Sequence, residues 1–239
     1  MDVEATGDRP LGVFAKLSSA ATMMGAGNAS LYALSRVLAA LFGGRVRIVK
    51  YYFASQPIAV ADDARGTGSF ALSWALPGSP LFAQVERPPA VITARFAQGA
   101  HCLAATVRDS ELAGFLWFVV GPYNEDEVRV RFVPAPAGKA AWDFDVTVMP
   151  RYRMGRLFGY LWRRAGVELA SRGVTSSVSR ISAFNPGSIA SHQRLGARIV
   201  GNALFVCAGP LQLMHASTGP RRWHFSWRDD QRPTLEIAS

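Results

Sequence analysis

Three groups of residues in the C-terminal half have types and spacings that support chemistry. Asp143 and Asp145 are two apart in Trp142-Asp143-Phe144-Asp145-Val146-Thr147-Val148. Residues two apart in a strand share a face, so both carboxylates and Thr147 are expected on one side. A carboxylate there can accept a proton once its pKa is raised from about 3.9 or a water relays the proton; the alternative is that both aspartates pair with arginines. His192 follows Ser188 by four residues, which puts the two on one face of a helix. An imidazole titrates near neutrality and can hand over a proton; on a short surface helix it is simply an exposed histidine. Arg151, Arg153 and Arg156 gather where a helix begins. Unpaired backbone N–H groups and the positive dipole end favour an anion there.

The elements that must position these residues read as strand, break, helix, strand, helix. Trp142–Val148 alternates and is rich in β-branched residues, and Pro150 ends it because proline has no N–H for a ladder. A helix is expected over Gly155–Ala170, with Phe158, Leu161, Trp162, Ala165 and Leu169 on its buried face. Thr175–Phe184 reads as a second strand. Asn185-Pro186-Gly187-Ser188 then caps a short helix that runs through His192 and Arg194 and stops at Gly196. Two strands joined by one helix should be parallel neighbours with a right-handed crossover. They are expected to splay beyond Val148.

Val148-Met149-Pro150-Arg151-Tyr152-Arg153 resembles the V-x-P-x-Y-R motif of the GNAT-type N-acyltransferase superfamily. Asn185-Pro186-Gly187-Ser188 with His192, Arg194 and Gly196 resembles that family's N-x-x-S/A-x-x-x-Y-x-K-x-G-F element, with His192 at the tyrosine position, Arg194 at the lysine and Ala197 at the aromatic residue. The resemblance covers roughly residues 69–216. It implies an α/β (α+β) fold, with a mixed, mostly antiparallel central sheet flanked by helices. It also implies an N-acyltransferase, in the first instance an N-acetyltransferase, with acetyl-CoA or another acyl-CoA as cosubstrate and no metal. The acceptor would be a primary amine on a small molecule, sugar or peptide. By the same resemblance His192 protonates the departing thiolate, and Asp145 or Asp143 receives the amine proton. Val146 and Val148 border the pantetheine arm, Asn185 and Ser188 hold its amide, and Arg153, Met154, Gly155, Arg156 and Leu157 meet the phosphates. The family's pyrophosphate loop reads Q/R-x-x-G-x-G/A. Counted from Arg153, its glycine positions fall on Arg156 and Phe158. A non-catalytic GNAT-like binding module, or an acyltransferase that uses an acidic acyl carrier protein, are the alternatives.

The chain has 239 residues, of which 49% are apolar and 18% charged, enough for a sizeable core and against global disorder. A net charge of +9 suits a polyanionic partner such as coenzyme A, a carrier protein or an anionic membrane surface. Nucleic acid is not expected. Cys102 and Cys207 are far apart in sequence and outside any metal-ligand spacing. With no signal peptide and no apolar run of the roughly 20 residues a span needs, a cytoplasmic protein is expected.

Residues 1–30 read as a flexible tail. Residues 31–68 read as an added helix–strand element with its helix over Leu31–Phe42, and 69–239 as the acyltransferase domain. His101–Arg108 and Glu111–Val120 form a hairpin, and Val128–Val133 reads as an extra strand or an extension of that hairpin. Near the C-terminus, Arg221-Arg222-Trp223-His224-Phe225-Ser226-Trp227-Arg228 mixes basic and aromatic residues. Such a pattern can stack on bases, but a strand with packed aromatics is the expected reading.

Overall fold

The computed structural model describes residues 22–58, 68–108, 110–153 and 155–239. Of the tail expected over residues 1–30, positions 1–21 lie outside these residues, and Ala26–Ser30 already belong to the first helix; the phosphate contact assigned to Met154 lies outside them as well. The described elements are helices α1 (Ala26–Leu41), α2 (Pro89–Ala97), α3 (Leu157–Ser171) and α4 (Pro186–Arg194). The strands are β1 (Val46–Pro57), β2 (Ala71–Ala75), β3 (His101–Val107), β4 (Glu111–Val119), β5 (Tyr123–Asn124), β6 (Arg131–Ala135), β7 (Ala140–Val148), β8 (Ser176–Ser182), β9 (Arg198–Ala208), β10 (Leu211–Ala216), β11 (Trp223–Ser226) and β12 (Thr234–Ala238).

Nine strands form one sheet in the order β11-β10-β9-β1-β8-β7-β4-β3-β2. Only β7 and β8 run parallel within it; the other neighbours are antiparallel. This is the mixed, mostly antiparallel α/β sheet that the sequence leads one to expect. The small second sheet, β12-β6-β5, corrects one detail. Arg131–Ala135 does not extend the β3–β4 hairpin but pairs in parallel with the C-terminal strand β12.

The segment read as an added element supplies a central strand. β1 pairs with β8 from Tyr51↔Ser182 to Pro57↔Ser176, and with β9 from Val46↔Ala208 to Ser55↔Arg198. It earns that position by its pattern: Val49, Tyr51 and Phe53 bury one face, while Ile48, Lys50 and Tyr52 meet α1 on the other.

The two faces of the sheet carry separate cores. On one face α3 lays Leu157, Leu161, Ala165 and Leu169, all fully buried, onto Leu103, Ala113, Leu116, Phe118 and Ala141. Each of those leucines contributes roughly 1.5–3 kcal/mol by burial. On the other face Phe53, Trp117, Trp142, Phe144 and Phe205 pack with Phe132, Leu235 and Ile237 of the small sheet. α3 starts at Leu157 rather than Gly155, because Pro150–Tyr152 winds into a 3-10 turn first.

Candidate active site

β7 and β8 pair in parallel from Ala140↔Ser176 to Asp143↔Ser179 and then part. The fork therefore opens at Asp143, five residues before the expected point at Val148. Its cause lies on the other side of β7. Phe115 faces Thr147 and Trp117 faces Phe144, so β7 has one residue too many between those pairs. The extra residue forms a β-bulge, and Asp145 sits in it at φ 50°. That left-handed conformation is rare outside glycine, with aspartate and asparagine the commonest exceptions.

The bulge inverts the alternation, and the expectation that Asp143 and Asp145 share a face does not hold. Asp143 lies on the α3–α4 side, fully buried, and its Oδ2 accepts hydrogen bonds from Ser177 Oγ at 2.6 Å and Ser179 Oγ at 2.7 Å. Asp145 lies on the α2 side with Phe144. Arg95 Nη1 donates to it at 2.6 Å and Arg87 Nε at 3.1 Å, and the Arg95 guanidinium itself stacks over Trp117 and Phe144.

The two carboxyls are therefore set in opposite directions. Burial raises the pKa of Asp143, against the pull of His192 and the two serine hydroxyls. Burial also acts on Asp145, but the Arg95 charge and the hydrogen bonds from Arg87 and Arg95 outweigh it and hold that carboxyl below its ordinary value. Arginine pairing thus describes Asp145 and not Asp143.

His192 is buried rather than exposed. Asn185 caps α4, its Oδ1 accepting from Ser188 N at 3.0 Å, as expected. One turn on, His192 Nδ1 donates to the Ser188 carbonyl at 2.8 Å. A carbonyl only accepts, so Nδ1 carries a proton and Nε2 is the nitrogen that gains or loses one. Nε2 is buried without a hydrogen-bond partner among the described residues. The ring stands edge-on to Phe158 and Trp162 of α3.

On the α2 side the fork opens into two clefts of about 300 and 310 Å³ that share Arg87. One is lined by Arg95, Asp126, Glu127 and Arg180, the other by Phe115, Asp145, Thr147, Met149 and Arg153. Sequence reasoning passed over Asp126, Glu127 and Arg180. Buried Arg95 bridges Asp145 and Asp126, and Arg180 forms a two-pronged pair with buried Glu125 at 2.6 and 2.8 Å. The acidic triplet Glu125-Asp126-Glu127 was the available signal.

The residues assigned to the donor are spread along one edge. Val146 and Val148 turn their side chains under α3, which leaves only their backbone to face the fork. Arg153 Nε donates to the Val148 carbonyl at 3.1 Å. Gly155 and Arg156 lead into α3, whose first N–H groups have no intrahelical partner, and the Leu157 side chain is buried in the core. Arg151 pairs instead with Glu111, as does the Tyr152 hydroxyl.

No protein-family model matches the chain, and no curated protein matches it. Solved structures do. A protein from Novosphingobium aromaticivorans described as a GNAT-family acetyltransferase aligns over 72% of this chain and 66% of its own, at 19% identity and a TM-score of 0.49. A tandem GNAT protein from the clavulanic acid biosynthesis pathway aligns over 78% and 59%, at 15% identity and a TM-score of 0.45. A GCN5-related N-acetyltransferase from Sphaerobacter thermophilus aligns over 76% and 55%, at 13% identity and a TM-score of 0.43. The chain resembles GNAT-type acyltransferases in structure. It spans less than two thirds of each of these proteins' own length. Within the nine-stranded sheet, the strand beside β8 comes from the N-terminal part of the chain.

Proposed function

We propose that this chain is an N-acyltransferase that moves an acyl group from acyl-CoA, in the first instance acetyl-CoA, to a primary amine of a small molecule, sugar or peptide in the cytoplasm. The observation that carries the reading is the fork between β7 and β8, with buried Asp143 and His192 on one side of the sheet and a charged cleft on the other. A thioester laid into the fork meets the β8-facing edge of β7 beyond Asp143, where the strand pairs with β4 alone. Its phosphates meet Arg153, Arg156 and the N–H groups of Gly155 and the first turn of α3. Asn185 and Ser188 border the pantetheine arm from the start of α4.

The amine approaches from the α2 side, where the Glu127 carboxylate takes its proton through water, while Asp126, like Asp145, is held by Arg95. Its nitrogen attacks the thioester carbonyl, the C–S bond breaks, and the thiolate takes the Nε2 proton of His192. Asp143 stabilises the imidazolium before that transfer. Asp145, held by two arginines, is too weak a base for the amine and instead positions Arg87 and Arg95. The positive charge also suits an acidic acyl carrier protein as an alternative donor.

The test is a screen of acyl-CoA thioesters against pools of amines, read as free thiol released, beside calorimetry of donor binding. Amine-dependent thiol release supports the reading. Donor binding without turnover would leave a binding module, and no binding of any thioester would remove acyl-CoA as the donor.

A further inference from the structure

The basic, aromatic segment near the C-terminus is a strand, but its aromatics are not packed. Trp223, Phe225 and Trp227 are 64%, 52% and 50% exposed. The register shows what they join. Phe225 faces Leu213, Leu213 faces Val206, and Val206 faces Ile48, so these side chains form one row across β11, β10, β9 and β1. Ile48 is covered by α1, whereas Val206, Leu213 and Phe225 are open, as is Leu211. An antiparallel sheet with one solvated face ordinarily turns polar residues outward; here that face is apolar.

α1 prolongs the patch. Tyr32 leans toward Phe184 beside β8. Helical spacing puts Leu34, Val37 and Leu41 on the opposite flank, above β9 and β10, and all three are exposed. A contiguous apolar face of this extent marks an interaction site.

Charge decides between partners. Neither residues 22–58 nor Gly173–Arg228 contain an aspartate or glutamate, so α1, β1, β8, α4, β9, β10 and β11 are acid-free. Arg221 and Arg222 adjoin Trp223 and form no ion pair among the described residues, and exposed Arg45 marks the Leu211 end. Asp229 and Asp230, next in the chain, are paired with Arg129 and Arg228. A second copy would bring the same basic rim, and the carboxylates nearest the Leu211 end, Glu127 and Asp229, lie beside arginines of their own. The aromatics alone could stack on bases, but the aliphatic floor of Val206, Leu211 and Leu213 gains nothing from a nucleic acid and would be buried by an apolar layer. Tryptophans and leucines rimmed by arginines match an apolar layer beneath anionic headgroups.

We propose that the face built from β9, β10, β11 and the flank of α1 docks on an anionic lipid bilayer surface. The full chain is sedimented with vesicles of phosphatidylcholine alone and of phosphatidylcholine mixed with phosphatidylglycerol. Binding is expected to the mixed vesicles, weaker at high salt and several-fold weaker to phosphatidylcholine alone. Trp223→Ser with Trp227→Ser should reduce binding at least tenfold while the melting temperature changes little, since both residues are at least half exposed and touch only the surface rings of His215 and Phe225. Arg221→Gln with Arg222→Gln should weaken binding to the mixed vesicles on the order of 30-fold and leave phosphatidylcholine unaffected. Three results would overturn the proposal: no vesicle binding, binding undiminished in both double variants, or a concentration-dependent dimer that the tryptophan variant abolishes while vesicles stay unbound. The last would make the face a contact between copies.

Discussion

Asp143 and Asp145 are two residues apart and chemically identical, yet the structure gives them opposite environments. Asp143 is buried between serine hydroxyls with a raised pKa, so folding disfavours its charge. Ionising it costs stability as pH rises through its folded pKa, and Asp143→Asn, whose oxygen still accepts from Ser177 and Ser179, is expected to leave stability at neutral pH within about 1 kcal/mol of wild type by urea denaturation. The same change should lower turnover, because the imidazolium of His192 loses its anion. His192→Phe keeps a ring of similar bulk without the proton, and kcat should fall roughly 10²-fold or more while donor affinity stays within a few-fold. The rate measured against pH should separate the two enzymes, with a fall at high pH in wild type that His192→Phe lacks. A His192→Phe enzyme that turned over like wild type would make the histidine a core residue only.

At the scale of elements, the bulge in β7 depends on a glycine in its neighbour. A Cβ on Gly114 would stand 2.7 Å from the Thr147 carbonyl oxygen and 3.3 Å from a Leu157 methyl. The first contact is with backbone, so β4 and β7 would have to move apart beside Thr147, just past the bulge. Gly114→Ala is expected to cost about 1–3 kcal/mol in urea denaturation, and to impair donor binding beyond what that loss explains. At the start of α3, Arg153→Ala should weaken acyl-CoA binding by about 1–3 kcal/mol in calorimetry, the value of a charge-assisted hydrogen bond. Unchanged affinity would remove Arg153 from the donor site.

Across the whole molecule, a charge network ties α2, the loop at Glu125–Glu127, β7, β8 and β1 together on one face of the sheet. Arg95 is buried between Asp145 and Asp126. Removing it strands two carboxylates, and Arg95→Ala is expected to destabilise the fold by about 3–5 kcal/mol. Acid should act on the same network. The Asp126 carboxyl is lowered to about 2: burial opposes this, but hydrogen bonding at Glu125 and the Arg95 guanidinium prevail. Asp145 is lowered too. A carboxylate with a depressed folded pKa contributes stability that is complete above its unfolded value and lost as pH falls through its folded one. Unfolding free energy should therefore drop from about pH 4 down to about pH 2, and less steeply in Asp126→Asn.

The sequence alone determined what depends on near neighbours in the chain. Strand alternation, the proline stop after Val148, the apolar stripe of α3 and the Asn185 cap are local patterns, and their order already implies a parallel pair joined by a crossover helix. His192 was legible as a candidate from its spacing to Asn185 and Gly196, but its burial was not, because Phe158 and Trp162 reach it from another helix. Pairing decided the rest. A bulge exists only relative to a partner strand, so no count along β7 could show that Asp143 and Asp145 part company. The place of β1 inside the sheet depends on β8 and β9, which lie more than a hundred residues away. The exposed Trp223 of β11 and Trp227 just past it look like any strand aromatics until the tertiary fold shows that no element among the described residues covers that end of the sheet.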